Sequence, residues 1–315
     1  MEIVTGFGNL ASPDRPVVAT IGNFDGLHLG HQALLAQVVA EAGRRGLHAS
    51  VVTFNPHPLR VLAPDRAPRM ILTRRQKIEL LGSYGIDLIV FIPFTEAVAS
   101  VPAEEFASRF LTGRLHVECL IVGEDFRFGK GRAGDVALLR SLGPKLGFEV
   151  RSADLVVNGG ARISASQVRE AIETGQPEKA AALMGRPYVL LGRVVHGAGR
   201  GRVLSFPTAN VEPESELIPG PGVYITETLV ELEWQPSVTN VGVRPTFGDN
   251  SLAIETYLPD FSGSLYGHRI RVRFLERLRD ERKFDNAEAL QRQIAEDVRR
   301  MRERAAAARR VGGKP

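Results

Sequence analysis

The feature that most constrains this chain is an alternation that fills its first half: short apolar runs, each followed by an amphipathic stretch. Residues 17–21, 50–54, 88–92 and 119–122 are continuous apolar or β-branched runs of strand length. Such runs are the pattern of strands buried on both faces. Helical patterns lie at about 31–42, 74–84, 103–111 and 135–146. Strand and helix in alternation predict a parallel sheet with helices packed on its faces. In that architecture ligands bind beyond the carboxyl ends of the strands.

The texture changes around residues 180–187. Strand-like segments with Gly/Pro turns follow at 188–195, 223–228, 237–243, 254–258 and 269–278. The last alternates cleanly, with Ile270, Val272 and Phe274 expected inward and Arg269, Arg271 and Arg273 outward. Several strands without intervening helices suggest an antiparallel barrel or sandwich. One long helix closes the chain. Asp285 and Glu288 form an expected capping box, Leu290, Ile294, Val298 and Met301 an apolar stripe, and the tail from Ala305 is expected to fray. At 315 residues two domains are expected, 1–184 and 185–315.

Composition excludes more than it assigns. Cys119 is the only cysteine, which rules out a disulfide framework and a multi-cysteine zinc site. Its apolar neighbours predict an inert buried thiol. Forty basic against 36 acidic residues leave a net charge of +4, too little to argue for nucleic acid. The long helix carries Arg292, Arg299, Arg300, Arg302 and Arg304 beside Glu288, Glu296, Asp297 and Glu303. Mixed signs at helical spacing read as a solvated, salt-bridged face. The amino-terminal segment lacks the pattern of a signal peptide, and no apolar run approaches the ~20 residues needed to span a bilayer. A cytoplasmic protein without membrane or nucleic-acid partners is expected, as a monomer or transient homo-oligomer.

Directly after the first of these strands comes GNFDGLHLGH, residues 22–31. Gly22, Gly26 and Gly30 allow the tight turns and close backbone approach that a phosphate chain needs. His28 and His31 are three apart and project together from the first turn of the next helix, where exposed N–H groups and the helix dipole favour anions. Two imidazoles there can stabilise charge building on a phosphate during in-line attack. No GxGxxG is present in this loop. GEDFRFGKG, residues 123–131, places five residues between its glycines where a P-loop needs four, and Gly131 stands where Ser or Thr should be.

A second glycine-rich string, HGAGRGRVLSFPTAN, covers residues 196–210. Gly197, Gly199 and Gly201, interleaved with Arg200 and Arg202, make a cationic loop able to wrap phosphates. Thr208 and Asn210 are two apart, so an extended segment turns both to one side. Their oxygens are hard donors suited to Mg²⁺. Downstream, Glu255 in IETYL is expected as an inward-pointing carboxylate that can take a proton from an alcohol during γ-phosphate transfer.

GNFDGLHLGH, FNPHP (54–58), GEDFRFGKG and ISASQVR (163–169) occur in the order and spacing of the bacterial bifunctional riboflavin kinase/FMN adenylyltransferase family, which the chain therefore resembles. GRGRVLSFPTAN, GPGVY (220–224), NVGVRPTFG (240–248), IETYL (254–258), LYGH (265–268) and KFDN (283–286) continue the match through the kinase module. The resemblance implies a Rossmann-like nucleotidylyltransferase domain followed by a β-barrel kinase domain with a carboxyl-terminal helix. It implies that riboflavin and ATP give FMN in the second domain, and that FMN and ATP give FAD and pyrophosphate in the first. His28 and His31 then bind ATP phosphates and stabilise the transition state, with Gly22, Asn23, Phe24 and Gly26 in the same loop. Asp125 and Phe126 line the flavin or adenine pocket, and Ser164, Ser166 and Arg169 contact phosphate at another helix start. Pro207 and Thr208 join the second nucleotide site, Thr208 and Asn210 contact Mg²⁺, and Glu255 is the base for the ribityl 5′-hydroxyl. Mg²⁺ is expected in both sites, because neither shows enough fixed positive charge for a triphosphate. The chain departs from its relatives at Asn55, where many carry an acid, at Ala165, where Ser is usual, and at Ser205, where Gly is usual.

Overall fold

In the computed structural model the apolar runs of the first half become the middle strands of a six-stranded sheet. The structure describes residues 1–10, 16–153, 157–158, 161–196, 206, 208–246 and 249–312. The strands are β1 (Glu2–Thr5), β2 (Val17–Ile21), β3 (His48–Phe54), β4 (Leu88–Ile92), β5 (Val117–Gly123) and β6 (Glu149–Ala153). Their order is β1-β4-β3-β2-β5-β6 and every pairing is parallel. All five residues of β2 and of β4 are buried, which is why those runs read as apolar. β1 and β6 are the edges and are largely exposed, so neither carries the continuous apolar pattern that marks a central strand.

The helices are α1 (Leu29–Arg45), α2 (Leu59–Leu62), α3 (Arg74–Ser83), α4 (Glu96–Ala99), α5 (Ala103–Glu105), which runs into a π-helical turn (Phe106–Thr112), and α6 (Val136–Leu146). α3 opens with a capping box in which Thr73 Oγ1 accepts from the Gln76 N–H while the Gln76 side chain accepts from the Thr73 N–H. A short hairpin, β7 (Val157–Asn158) and β8 (Ala161–Arg162), ends this unit. Cys119 is fully buried on β5, and burial raises its thiol pKa, in keeping with an inert group.

The chain divides into two units, Met1–Ala165 and Ser166–Pro315. α7 (Ala165–Glu173) opens at that division and α8 (Pro177–Met184) follows. Both pack with the barrel strands: the Gly220 N–H donates to Ile172 O at 3.0 Å, and the Arg277 N–H to Glu178 Oε1 at 3.2 Å. The structural division therefore lies one helix pair before the expected 184/185 boundary.

β9 (Tyr188–Val195), β10 (Thr208–Pro213), β11 (Gly222–Val230), β12 (Glu233–Thr246), β13 (Asp249–Tyr257) and β14 (Arg269–Arg279) close into an antiparallel barrel in the order β10-β13-β12-β11-β14-β9. Ile270, Val272 and Phe274 are buried, as the alternation predicts. The barrel interior also holds fully buried hydroxyls. Thr226 bonds Ser237 at 2.8 Å and Thr239 at 2.7 Å, and Thr239 bonds Thr256 at 3.0 Å. Each hydroxyl satisfies another, so burial leaves no orphan among them.

α9 (Ala287–Gly312) covers the outer face of this barrel, where Val298 and Met301 pack on Val223, Ile225, Val238 and Leu278, with Ile294 beside them. Asn286, rather than Asp285, caps it: Asn286 Oδ1 accepts from the Ala289 N–H at 2.8 Å. The helix starts one residue later than the pattern suggests, and it continues past the expected fray point to Gly312. Its arginines are engaged: Arg299 with Glu296 and Glu303, Arg302 with Asp260, and Arg304 with Glu276.

One ion pair anchors this helix. Asp297 is 2% exposed and takes Arg279 Nη2 at 2.8 Å and Gln293 Nε2 at 2.9 Å. Arg279→Ala leaves that carboxylate buried without its cation, a change that costs about 3 kcal/mol. Equilibrium urea denaturation of the full chain is expected to show that loss; an unchanged midpoint would refute the anchoring role.

Candidate functional site

The chain passes through β2, β3 and β4 on one side of the first sheet, then crosses to place β5 on the other side of β2. The strand order reverses at β2, so a crevice opens at the carboxyl ends of β2 and β5, the place where such sheets bind nucleotides. GNFDGLHLGH leaves β2 into that crevice and GEDFRFGKG leaves β5.

The loop after β2 is held in a backbone conformation that few sequences adopt. Phe24, Gly26 and Leu27 all have positive φ, at 47°, 77° and 42°. The two non-glycine residues cost about 1–3 kcal/mol each. Gly26 is required twice over, since a Cβ there would also lie 2.9 Å from Ile71 Cδ1. Phe24 and Leu27 are buried, which supplies part of the compensation.

His28 is the N-cap of α1, and its Nδ1 accepts from the His31 N–H at 3.4 Å. A neutral imidazole that accepts at Nδ1 carries its proton on Nε2. The two rings stack, with centroids 3.8 Å apart and planes at 19°. A Cβ on Gly30 would lie 3.2 Å from the His28 ring, so that glycine gives the imidazole its space. Burial is the main cause that holds the His31 pKa well below its usual value, and the charges of His28, Lys77 and Arg162 add to it. Its Nδ1 is buried with no hydrogen-bond partner among the described residues. The pair thus presents stacked imidazoles beside Lys77 and Arg162, a cationic setting suited to a polyphosphate.

Around this pair, the Asn23 side-chain amide lies 3.0 Å from His57 Nε2, which links the FNPHP segment to the loop. Asn55 is exposed and packs no carboxylate-like role into the loop. Beyond β5, Phe126 and Phe128 stack with centroids 5.5 Å apart, a flat apolar surface. Asp125 is paired with Arg162 at 2.6 Å, which lowers its pKa. Arg162 was not among the residues that the sequence patterns single out. The signal available was its place beside ISASQVR, but a lone arginine before a motif has no periodicity to mark it. Ser164 immediately precedes α7, and Ser166 and Arg169 lie on its first turns, in the second unit.

In the second unit the register brings Asn210, Glu255 and Asn240 side by side across β10, β13 and β12. Thr208 is two residues from Asn210 on the same face, as expected of an extended strand. Thr256, next to Glu255, points into the buried hydroxyl set. Glu255 therefore faces out of the barrel, not inward as expected, because side chains alternate strictly along β13. Asn240, the first residue of the NVGVRPTFG string, joins the row through strand pairing, and the string by itself gives it no role. His196 stacks on Tyr266, with centroids 4.1 Å apart, at the start of the cationic loop. Gly197, Gly199, Arg200, Gly201, Arg202, Ser205 and Pro207 lie outside the described residues.

Among the described residues one group of acidic and sulfur ligands lies close together, Glu41, Cys119 and Glu149. Its carboxylates are taken by arginines: Glu41 by Arg44 and Arg45, Glu149 by Arg45 and Arg151. Three cations there oppose a metal ion.

The comparisons agree with both halves. A family model described as FAD synthetase matches residues 10–167, and one described as riboflavin kinase matches residues 184–305. A protein of Escherichia coli (strain K12) named bifunctional riboflavin kinase/FMN adenylyltransferase is 39% identical over 305 residues, 96% of this chain and 97% of its own. One of the same name from Pseudomonas fluorescens is 40% identical over 299 residues, covering 95% and 96%. A solved structure described as a macrolide-efflux protein from Streptococcus pneumoniae superposes with a TM-score of 0.88 at 27% identity, over 96% of this chain and 99% of that one. No helix among the described residues is long and apolar enough to cross a membrane.

Proposed function

Because this chain belongs to the bifunctional riboflavin kinase/FMN adenylyltransferase family, we propose that its two sites divide the work of making FAD as follows. The enzyme phosphorylates riboflavin to FMN in the barrel unit and adenylylates FMN to FAD in the parallel-sheet unit. The observation that carries the second assignment is the stacked His28–His31 pair at the amino end of α1, at the β2/β5 crevice.

In the adenylyl transfer a phosphate oxygen of FMN attacks the α-phosphorus of ATP, a P–O bond forms, and the bond to pyrophosphate breaks. His28 donates from Nε2 and His31 beside it, so charge on the α-phosphate meets fixed donors as it grows. The amide groups of the first turn of α1 add to them. Gly22, Asn23, Phe24 and Gly26 shape the loop around the phosphates, and Phe126 offers its ring to the flavin or adenine. Ser164, near the end of the same unit, adds a further phosphate contact.

In the kinase step Glu255 takes the proton of the ribityl 5′-hydroxyl as that oxygen attacks the γ-phosphorus and ADP leaves. Thr208 and Asn210, two hard-oxygen donors beside that carboxylate, would hold Mg²⁺, and the donor set fits it. When bound, the ion would neutralise charge on the triphosphate. Gly197, Gly199, Arg200, Gly201, Arg202 and Pro207, outside the described residues, supply in sequence the glycines and cations suited to the phosphates. We place the enzyme in the cytoplasm, as a monomer or transient homo-oligomer, with functional modules at 1–184 and 185–315.

The test is a time course. Purified protein, riboflavin, ATP and Mg²⁺ are expected to give FMN first and FAD after a lag, followed by chromatography. FAD without transient FMN, or neither product, would overturn the division of labour.

A further inference from the structure

We propose that Lys77, which no sequence pattern singles out, is a positioning residue for adenylyl transfer: its buried ammonium clamps the Asn23 carbonyl and supplies fixed positive charge beneath the Gly22–Gly30 loop. The proposal rests on the assignment of that transfer to the His28–His31 site.

Lys77 lies on α3 and is 4% exposed, an unusual place for an ammonium. Its Nζ donates to Asn23 O at 2.7 Å, and Thr53 Oγ1 donates to the same oxygen at 3.2 Å. Asp25, 1% exposed, ties the loop two residues further on to the segment just before α3, accepting from the Ile71 N–H at 3.1 Å and the Leu72 N–H at 3.2 Å. The attraction of Asp25 partly offsets the burial that lowers the Lys77 pKa. Ties from α3 and from the segment just before it thus flank Phe24, the first of the three positive-φ residues, and hold the entry of the strained loop in shape. A buried charge is costly, and a neutral side chain could pack the same volume. The charge therefore has a use beyond packing.

That use is directed at His31. The groups whose charges bear on His31 are His28 from its own loop, Lys77 from α3 and Arg162 from β8. Each disfavours the charged imidazolium of His31. Phosphate charge entering the crevice offsets them, so His31 gains its proton as substrate arrives.

The sign of the pH dependence follows. His31 binds its proton less readily folded than unfolded, so acidification below about pH 6.5 favours the unfolded state until the depressed folded pKa is passed. Removing Lys77 raises the His31 pKa, so the basic limb of activity, where the loaded enzyme loses that proton, moves to higher pH.

The experiment uses the full chain, with Lys77→Met, Lys77→Gln and His28→Ala assayed for FAD formation from FMN and ATP between pH 5 and 9. Lys77→Met is expected to lower kcat by about 10- to 100-fold, with a smaller change in KM for ATP. Its basic limb is expected to move up by about one pH unit. Lys77→Gln keeps a donor without charge, so it should recover part of kcat and show the same displaced limb; it also serves if the methionine variant does not fold. A residue with a merely structural role would change stability and leave the limb where it is. An unmoved limb and wild-type kcat in the glutamine variant, with His28→Ala inactive, would overturn the role of Lys77 alone. Full FAD formation by His28→Ala would instead overturn the site assignment, and this inference with it.

Discussion

Replacing His28 with alanine is expected to stop FAD formation and leave FMN accumulating from riboflavin and ATP. The imidazole caps α1, stacks on His31 and fills the space that Gly30 leaves open. Alanine removes a donor aimed at the transferring phosphate, a loss of about 10²- to 10³-fold in kcat. It also removes the cap, which costs about 1 kcal/mol of helix stability. The second loss is small beside the first, so the folded enzyme should survive while the chemistry fails. Because the two activities sit in separate units, FMN production from riboflavin is the internal control. Normal FAD output from the variant would show that another group meets the α-phosphate.

Glu255→Ala is expected to give the mirror result: no FMN from riboflavin, yet normal conversion of supplied FMN to FAD. A general base contributes about 10²- to 10⁴-fold. Glu255 is half-buried on an outer face of the barrel, in register between Asn210 and Asn240. Glu255→Gln keeps the size and the hydrogen-bonding reach but cannot accept the proton, so it should fail as badly as alanine. A glutamine variant that phosphorylates riboflavin at the wild-type rate would assign the proton to another acceptor. Product analysis by chromatography reads both variants in one assay.

Legibility in the sequence followed burial. β2 and β4 lie in the middle of the sheet and were plain, because every position on them is buried. β1 and β6 were missed, because edge strands expose one face and half their residues are polar. β10 was legible only as an extended segment, since its residues are partly buried and its order in the barrel is set by pairing. The His28–His31 pair was readable in full, since three-residue spacing at a helix start is a local property. The direction of Glu255 was not, because alternation says that Glu255 and Thr256 face opposite ways without saying which way is in. Lys77 and Arg162 reach the site from elements far apart from it in sequence, and each alone looks like an ordinary surface charge.

By itself the sequence determined the class of each half, the identity of the strands that form the sheet core, and the strings after β2 and in the barrel to which the proposed chemistry is assigned. Periodicity and short motifs encode local burial and local turns, and these need no partner to be read. Only the tertiary structure decided that β2 lies between β3 and β5, which opens the crevice at the amino end of α1. It alone turned Glu255 outward beside Asn210, and it alone set an ammonium beneath the histidine loop. Strand order and the burial of lone charges are properties of packing between distant segments, and no window along the chain contains both partners.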